Sequence, residues 1–101
     1  MEQDVFNEYS LGPTPESTRL GIRDRLVKRR KELGWSQLEL SRRSGVSYGS
    51  LKRFERLGEI SLSSLIDLAA VLDDLEDFSA LFAAKKYQSL QEALDAQKHQ
   101  R

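Results

Sequence analysis

Three observations predict an all-α chain. Ser or Thr stands ahead of a helical apolar stripe at Thr14, Ser36, Ser47 and Ser61. Gly34 and Gly45 stand where such helices would stop, and two short helices within SQLELSRRSGVSYGSLKRFERLG (36–58) meet at a glycine. The expected architecture is a five-helix body over residues 14–84, a flexible acidic arm over 1–13, and a tail over 85–101 with a short C-terminal helix. A chain of 101 residues holds one small domain with a modest core, which such domains often supplement by oligomerising.

The arm, MEQDVFNEYSLGP, ends in a Gly-Pro break and carries Glu2, Asp4 and Glu8, so phosphate would repel it; Phe6 and Tyr9 suit a protein partner better. Thr14 as N-cap, Pro15 at the first helical position and Glu16 in the first turn open helix one, which should run to Leu33 and stop at Gly34. Leu20, Ile22, Leu26, Arg30 and Leu33 trace an imperfect stripe, with Leu26, Val27 and Leu33 expected in the core. The run Lys28 to Lys31 fans around the axis, so part of it is solvated. Trp35 is expected to plug the space between helices.

Ser36 with Glu39 makes a capping box for helix two, whose apolar positions Leu38 and Leu40 leave it short, about two turns. Small Ser41 lets the next helix approach steeply, Gly45 can supply a positive φ, and Val46 with Leu51 fills the wedge. Ser47 caps helix three, with Leu51 and Phe54 inward. Its outward set is then Tyr48, Gly49, Ser50, Lys52, Arg53 and Arg56: donors and one aromatic ring, with no acid among them. Such a face suits a polyanion with readable base edges; the plainer alternative is a solvated basic surface.

Ser61 caps helix four, the most apolar segment, with Leu62, Leu65, Ile66, Leu68, Ala69, Val71 and Leu72. Asp73 and Asp74 end it and open helix five, expected over Leu75 to Ala84, whose Phe78, Leu81 and Phe82 exceed what the remaining core can absorb and are assigned to a homodimer interface. A second capping box, Ser89 to Glu92, opens a tail helix reaching about Gln97, too short to stand alone.

Charge is segregated. Formal net charge is zero, yet Arg19 to Arg56 holds twelve basic residues against four acidic, a net of +8, with the acids concentrated before and after. A basic face steers a molecule toward phosphate whatever its overall pI. With no cysteine, one histidine (His99) and no Gly-rich phosphate loop, catalysis and cysteine-ligated metal are not expected, nor is a cofactor. The acids Asp73, Asp74, Glu76 and Asp77 lack the ligand alternation of a calcium loop and read as helix-end charge. No apolar run approaches membrane-spanning length and no signal-peptide layout opens the chain, so no membrane contact and a cytoplasmic location are expected.

The spacing Gln37, Leu40, Ser41, Gly45-Val46, Leu51, Glu55 resembles the lambda-repressor-like (Cro/C1, or XRE) helix-turn-helix family, over roughly Arg19 to Leu81. The resemblance implies a dimer that binds duplex DNA at an inverted repeat and represses transcription. It assigns base readout to Tyr48, Gly49 and Arg53, and phosphate contact to Gln37, Ser47, Ser50, Lys52 and Arg56, with Arg19 or Arg23 from helix one. Gln37 would also brace the recognition helix. Gly49 has no side chain to read with, so Tyr48 and Arg53 carry that role, and Ser41 stands where alanine is usual. Within the family, SGVSYGSLKRFERLGEISLSSLIDLAAVL resembles HipB-type antitoxins, which implies an autoregulating partner of a HipA-like kinase toxin. The alternatives are a stand-alone or phage-type repressor, a protein adaptor that keeps the fold, and a single-stranded RNA binder, for which the basic region shows too few exposed aromatics.

Overall fold

The computed structural model describes residues 12–84 and 86–99, and the side chains of these apart from 86–90 and 98–99. The expected acidic arm, with Phe6 and Tyr9, lies outside the described residues apart from Gly12 and Pro13. The described residues form six helices and no strand: α1 Pro15–Glu32, α2 Gln37–Ser44, α3 Tyr48–Leu57, α4 Leu62–Val71, α5 Leu75–Ser79 and α6 Lys86–His99.

Local chemistry sets the helix starts. The Oγ atoms of Ser36, Ser47 and Ser61 accept from the N–H groups of Glu39, Ser50 and Ser64 at 3.0–3.1 Å. Thr14 and Ser17 form a reciprocal pair, each backbone N–H donating to the other's hydroxyl. Each such cap contributes about 1 kcal/mol. The box predicted at Ser36 is half made, because the Glu39 carboxylate turns along the helix to Arg43 at 2.7 Å and Arg42 at 3.5 Å. A charged partner one turn away outcompetes the neutral N–H of Ser36 for that carboxylate.

Helix α3 packs on α1 and α2, and α4 on α2 and α5. The core where they meet is Leu26, Leu40, Val46, Leu51, Phe54, Leu68 and Leu72, with Ile22, Trp35, Ile60, Leu65 and Val71 packed against it. Leu40, Leu51 and Leu68 are wholly buried. Each large side chain removed from water in this way contributes roughly 1.5–3 kcal/mol. Two turn positions allow the close approach. Gly45 takes φ 78° between α2 and α3, where the Ser41 hydroxyl donates to the Val46 carbonyl at 2.6 Å. Gly58 takes φ 73° at the end of α3, where an added Cβ would sit 3.0 Å from Leu20 and 3.1 Å from Arg19.

Three expectations are corrected. Leu33 is 47% exposed, because it is the C-cap of α1 and falls beyond the turn that faces the core; Leu26 is buried and Val27 only half-buried. Helix five ends at Ser79 rather than Ala84: Leu81 and Ala83 bond back to Phe78 and Ala80, three residues behind each, and Phe82 takes φ 68°, which no α-helix accommodates. The tail helix begins at Lys86, so Ser89 lies inside it rather than capping it, and it continues to His99 rather than Gln97.

The start of α5 also departs from a simple cap. Asp73, at φ 64°, closes α4 in a Schellman arrangement, Asp74 N–H reaching the Ala69 carbonyl at 2.8 Å. The Asp74 carboxylate makes no cap bond; Arg29 Nη1 holds it at 2.7 Å while also donating to the Leu72 carbonyl. Among the described residues no helix is long and apolar enough to cross a membrane.

Candidate nucleic-acid interface

Helix α3 has two dissimilar faces. Leu51 and Phe54 point into the core, while Tyr48, Gly49, Ser50, Lys52, Arg53 and Arg56 are all exposed. The Lys52 ammonium lies 4.8 Å from the centre of the Tyr48 ring, so the aromatic and the cation form one surface near the start of the helix. One turn on, Arg53 Nη2 donates to Glu59 Oε1 at 2.7 Å, in a pair whose members are both more than half exposed. Ser47, the cap, is exposed and donates its hydroxyl to that of Ser50.

Behind this face lies a buried polar hub. Arg30 from α1 meets Glu55 from α3 in a two-bond fork, Nε to Oε2 and Nη2 to Oε1, both 2.8 Å, with side chains 9% and 8% exposed. Gln37, the first residue of α2, donates Nε2 to Glu55 Oε1 at 2.8 Å, and Arg30 Nη1 donates to the Trp35 carbonyl. One carboxylate therefore ties α1, α2 and α3 together, and Gln37 braces α3 as the resemblance implied. Trp35 is half-buried against the core, with the Arg43 guanidinium 4.3 Å from its ring centre.

Arg19 and Arg23 do not stand free on α1. Arg19 Nη1 donates to the Leu57 carbonyl at 2.7 Å, and Arg23 Nη1 to the Glu55 and Arg56 carbonyls at 3.2 Å, with its Nε on Asp24. Both guanidiniums therefore cap the C-terminus of α3, where unsatisfied carbonyls and the helix dipole favour cations. The side of α3 opposite its outward residues is thus tied to α1 and α2.

Phe78, Leu81 and Phe82 belong to another end of the molecule. Phe78 is half-buried and, with Leu81, lines a groove of about 390 Å³ between α1, α4 and α5, whereas Phe82 is 94% exposed. No residue of α3 lines that groove. The groove also takes in Arg25 and Arg29 of α1, so part of that helix's basic charge faces away from α3.

The family model described as helix-turn-helix, of the XRE or lambda-repressor-like type, matches residues 26–78, just over half of the chain. The chain belongs to the lambda-repressor-like helix-turn-helix family. No curated protein and no solved structure gives a significant match. This is a family of DNA-binding transcription regulators, and α2, the turn at Gly45 and α3 all lie within the matched span.

The hub is what reading by residue missed in this helix-turn-helix domain. Its signal was present: Arg30 occupies an apolar stripe position four residues after Leu26, where a charged side chain requires a buried partner. The pairing of Arg53 with Glu59 was missed as well, and no local pattern announces it.

Proposed function

We propose that this regulator is a sequence-specific repressor that lays α3 in the major groove of duplex DNA and binds an inverted repeat as a homodimer. The observation that carries the reading is the exposed outward side of α3, whose own residues are all neutral or basic, locked from behind by Arg30, Glu55 and Gln37. A recognition helix must be rigid and offer donors of fixed direction to base edges. In this reading Arg53 and Tyr48 contact base edges, and Gly49 lets the helix backbone approach the groove. Ser47, Ser50, Lys52, Arg56 and the outer edge of Gln37 meet phosphates, and Arg19 and Arg23 contribute positive potential behind them. Two copies paired through Phe78, Leu81 and Phe82 would present their α3 helices to half-sites about 34 Å apart, one helical turn.

Selection from a random duplex library, followed by binding to the selected site and to random duplex, tests this. Arg53→Ala should weaken the selected site by about 1–3 kcal/mol and relax specificity, whereas Lys52→Ala should weaken both duplexes alike. Equal losses on both duplexes for Arg53→Ala would remove base readout from that residue.

A HipA-like kinase toxin as a further partner rests on the antitoxin resemblance and on one structural feature. Among the described residues α6 packs on no other helix extensively, so surface remains there for a protein besides DNA and the second copy. Purification from the native operon should recover the kinase with the regulator. Recovery with DNA alone would leave a stand-alone or phage-type repressor.

A further inference from the structure

We infer that Glu59 is a specificity-determining residue, which acts by holding Arg53 and by repelling phosphate that is not correctly placed. The inference rests on the proposed reading of DNA by α3. The outward positions of that helix are neutral or basic, and the carboxylate that reaches them is Glu59, from the connector to α4, with Oε1 2.7 Å from Arg53 Nη2. An ion pair with members 59% and 52% exposed contributes little to folding, so stability does not account for placing an acid on a face meant for a polyanion.

Its chemistry toward DNA is more specific. The bond occupies one N–H of a guanidinium that has five, leaving a fork free to meet the acceptor edge of guanine. A phosphate approaching the same guanidinium meets the Glu59 charge beside it. Arg53 in its pair is thus oriented for a neutral base edge and partly neutralised toward the backbone. Random-sequence DNA, which is bound through phosphate alone, is penalised more than a site whose bases Arg53 can reach.

The experiment uses the full chain, with a duplex selected from a random library and a random-sequence duplex of equal length. Fluorescence anisotropy at several salt concentrations follows the wild type, Glu59→Gln, Arg53→Ala and the double variant. Glu59→Gln should tighten binding to the random duplex about fivefold, the size of one unit-charge interaction at ~4 Å in water. It should tighten the selected site less, so that the specificity ratio falls. The salt slope on random duplex should steepen by about 0.9, because a released Arg53 neutralises one more phosphate, and this steepening should vanish in the Arg53→Ala background. A Glu59→Gln variant that strengthens both duplexes equally, with an unchanged slope, overturns the role of Glu59 while leaving the DNA reading intact. A wild type that selects no sequence overturns the DNA reading itself, and the inference with it.

Discussion

Glu55→Ala tests the hub directly. The substitution removes the acceptor of two Arg30 bonds and one Gln37 bond, all 2.8 Å, from a site where Glu55 is 8% and Arg30 9% exposed. It leaves a buried guanidinium bonded to the Trp35 carbonyl and an amide N–H₂ without its acceptor. Removing one member of a buried pair costs about 3–5 kcal/mol, chiefly from the stranded charge. A domain of this size holds only about 5–10 kcal/mol in total, so roughly half its stability is at stake. With an m-value of about 1.5 kcal/mol/M, the urea midpoint should fall by about 2–3 M. The partner experiment removes both charges: Arg30→Met with Glu55→Leu should recover most of the loss, because no buried ion remains unpaired. That double variant should fold yet bind DNA poorly, since Gln37 no longer reaches α3 through a carboxylate. A Glu55→Ala midpoint shift below about 0.5 M, or a double variant less stable than either single one, would refute the assignment of the hub as the brace of α3.

Three further outcomes are expected. Gly58→Ala should destabilise by more than Gly45→Ala, although both positions have positive φ, because the new Cβ at 58 also meets Leu20 at 3.0 Å while that at 45 meets nothing within 4 Å; thermal melts should show losses of roughly 1–3 kcal/mol against about 1 kcal/mol. Leu26→Ala should lose about 2–5 kcal/mol and Leu33→Ala under about 1 kcal/mol, since only the first is buried, and equal losses in urea melts would contradict the burial. Phe82→Glu should convert the proposed homodimer to monomers in sedimentation without lowering monomer stability, because the side chain is 94% exposed within one chain; an unchanged dimer would move the interface elsewhere.

What the sequence determined by itself is what depends on neighbours a few residues apart. Thr14, Ser36, Ser47 and Ser61 bond N–H groups three residues ahead, and Gly45 relieves a steric restriction of its own backbone, so these starts and this turn were legible without a fold. The two-faced character of α3 was legible for the same reason, since Leu51 and Phe54 fix which side is inward and Lys52, Arg53 and Arg56 follow. Tertiary structure alone decided which charges belong to that face. Arg30 and Glu55 are 25 residues apart, Gln37 and Glu55 are 18 apart, and Arg19 reaches a carbonyl 38 residues away. These partners are chosen by how the helices cross: the stripe position of Arg30 shows that it needs a buried partner but not which one, and nothing local separates Arg19 and Arg23, which cap a helix, from a guanidinium free to meet phosphate. The same limit misplaced Leu33 and lengthened α5. An apolar side chain keeps its stripe in sequence, but whether a helix is still there to carry it depends on the turn that ends it, and at Phe82 that turn takes a backbone conformation with no side-chain signature.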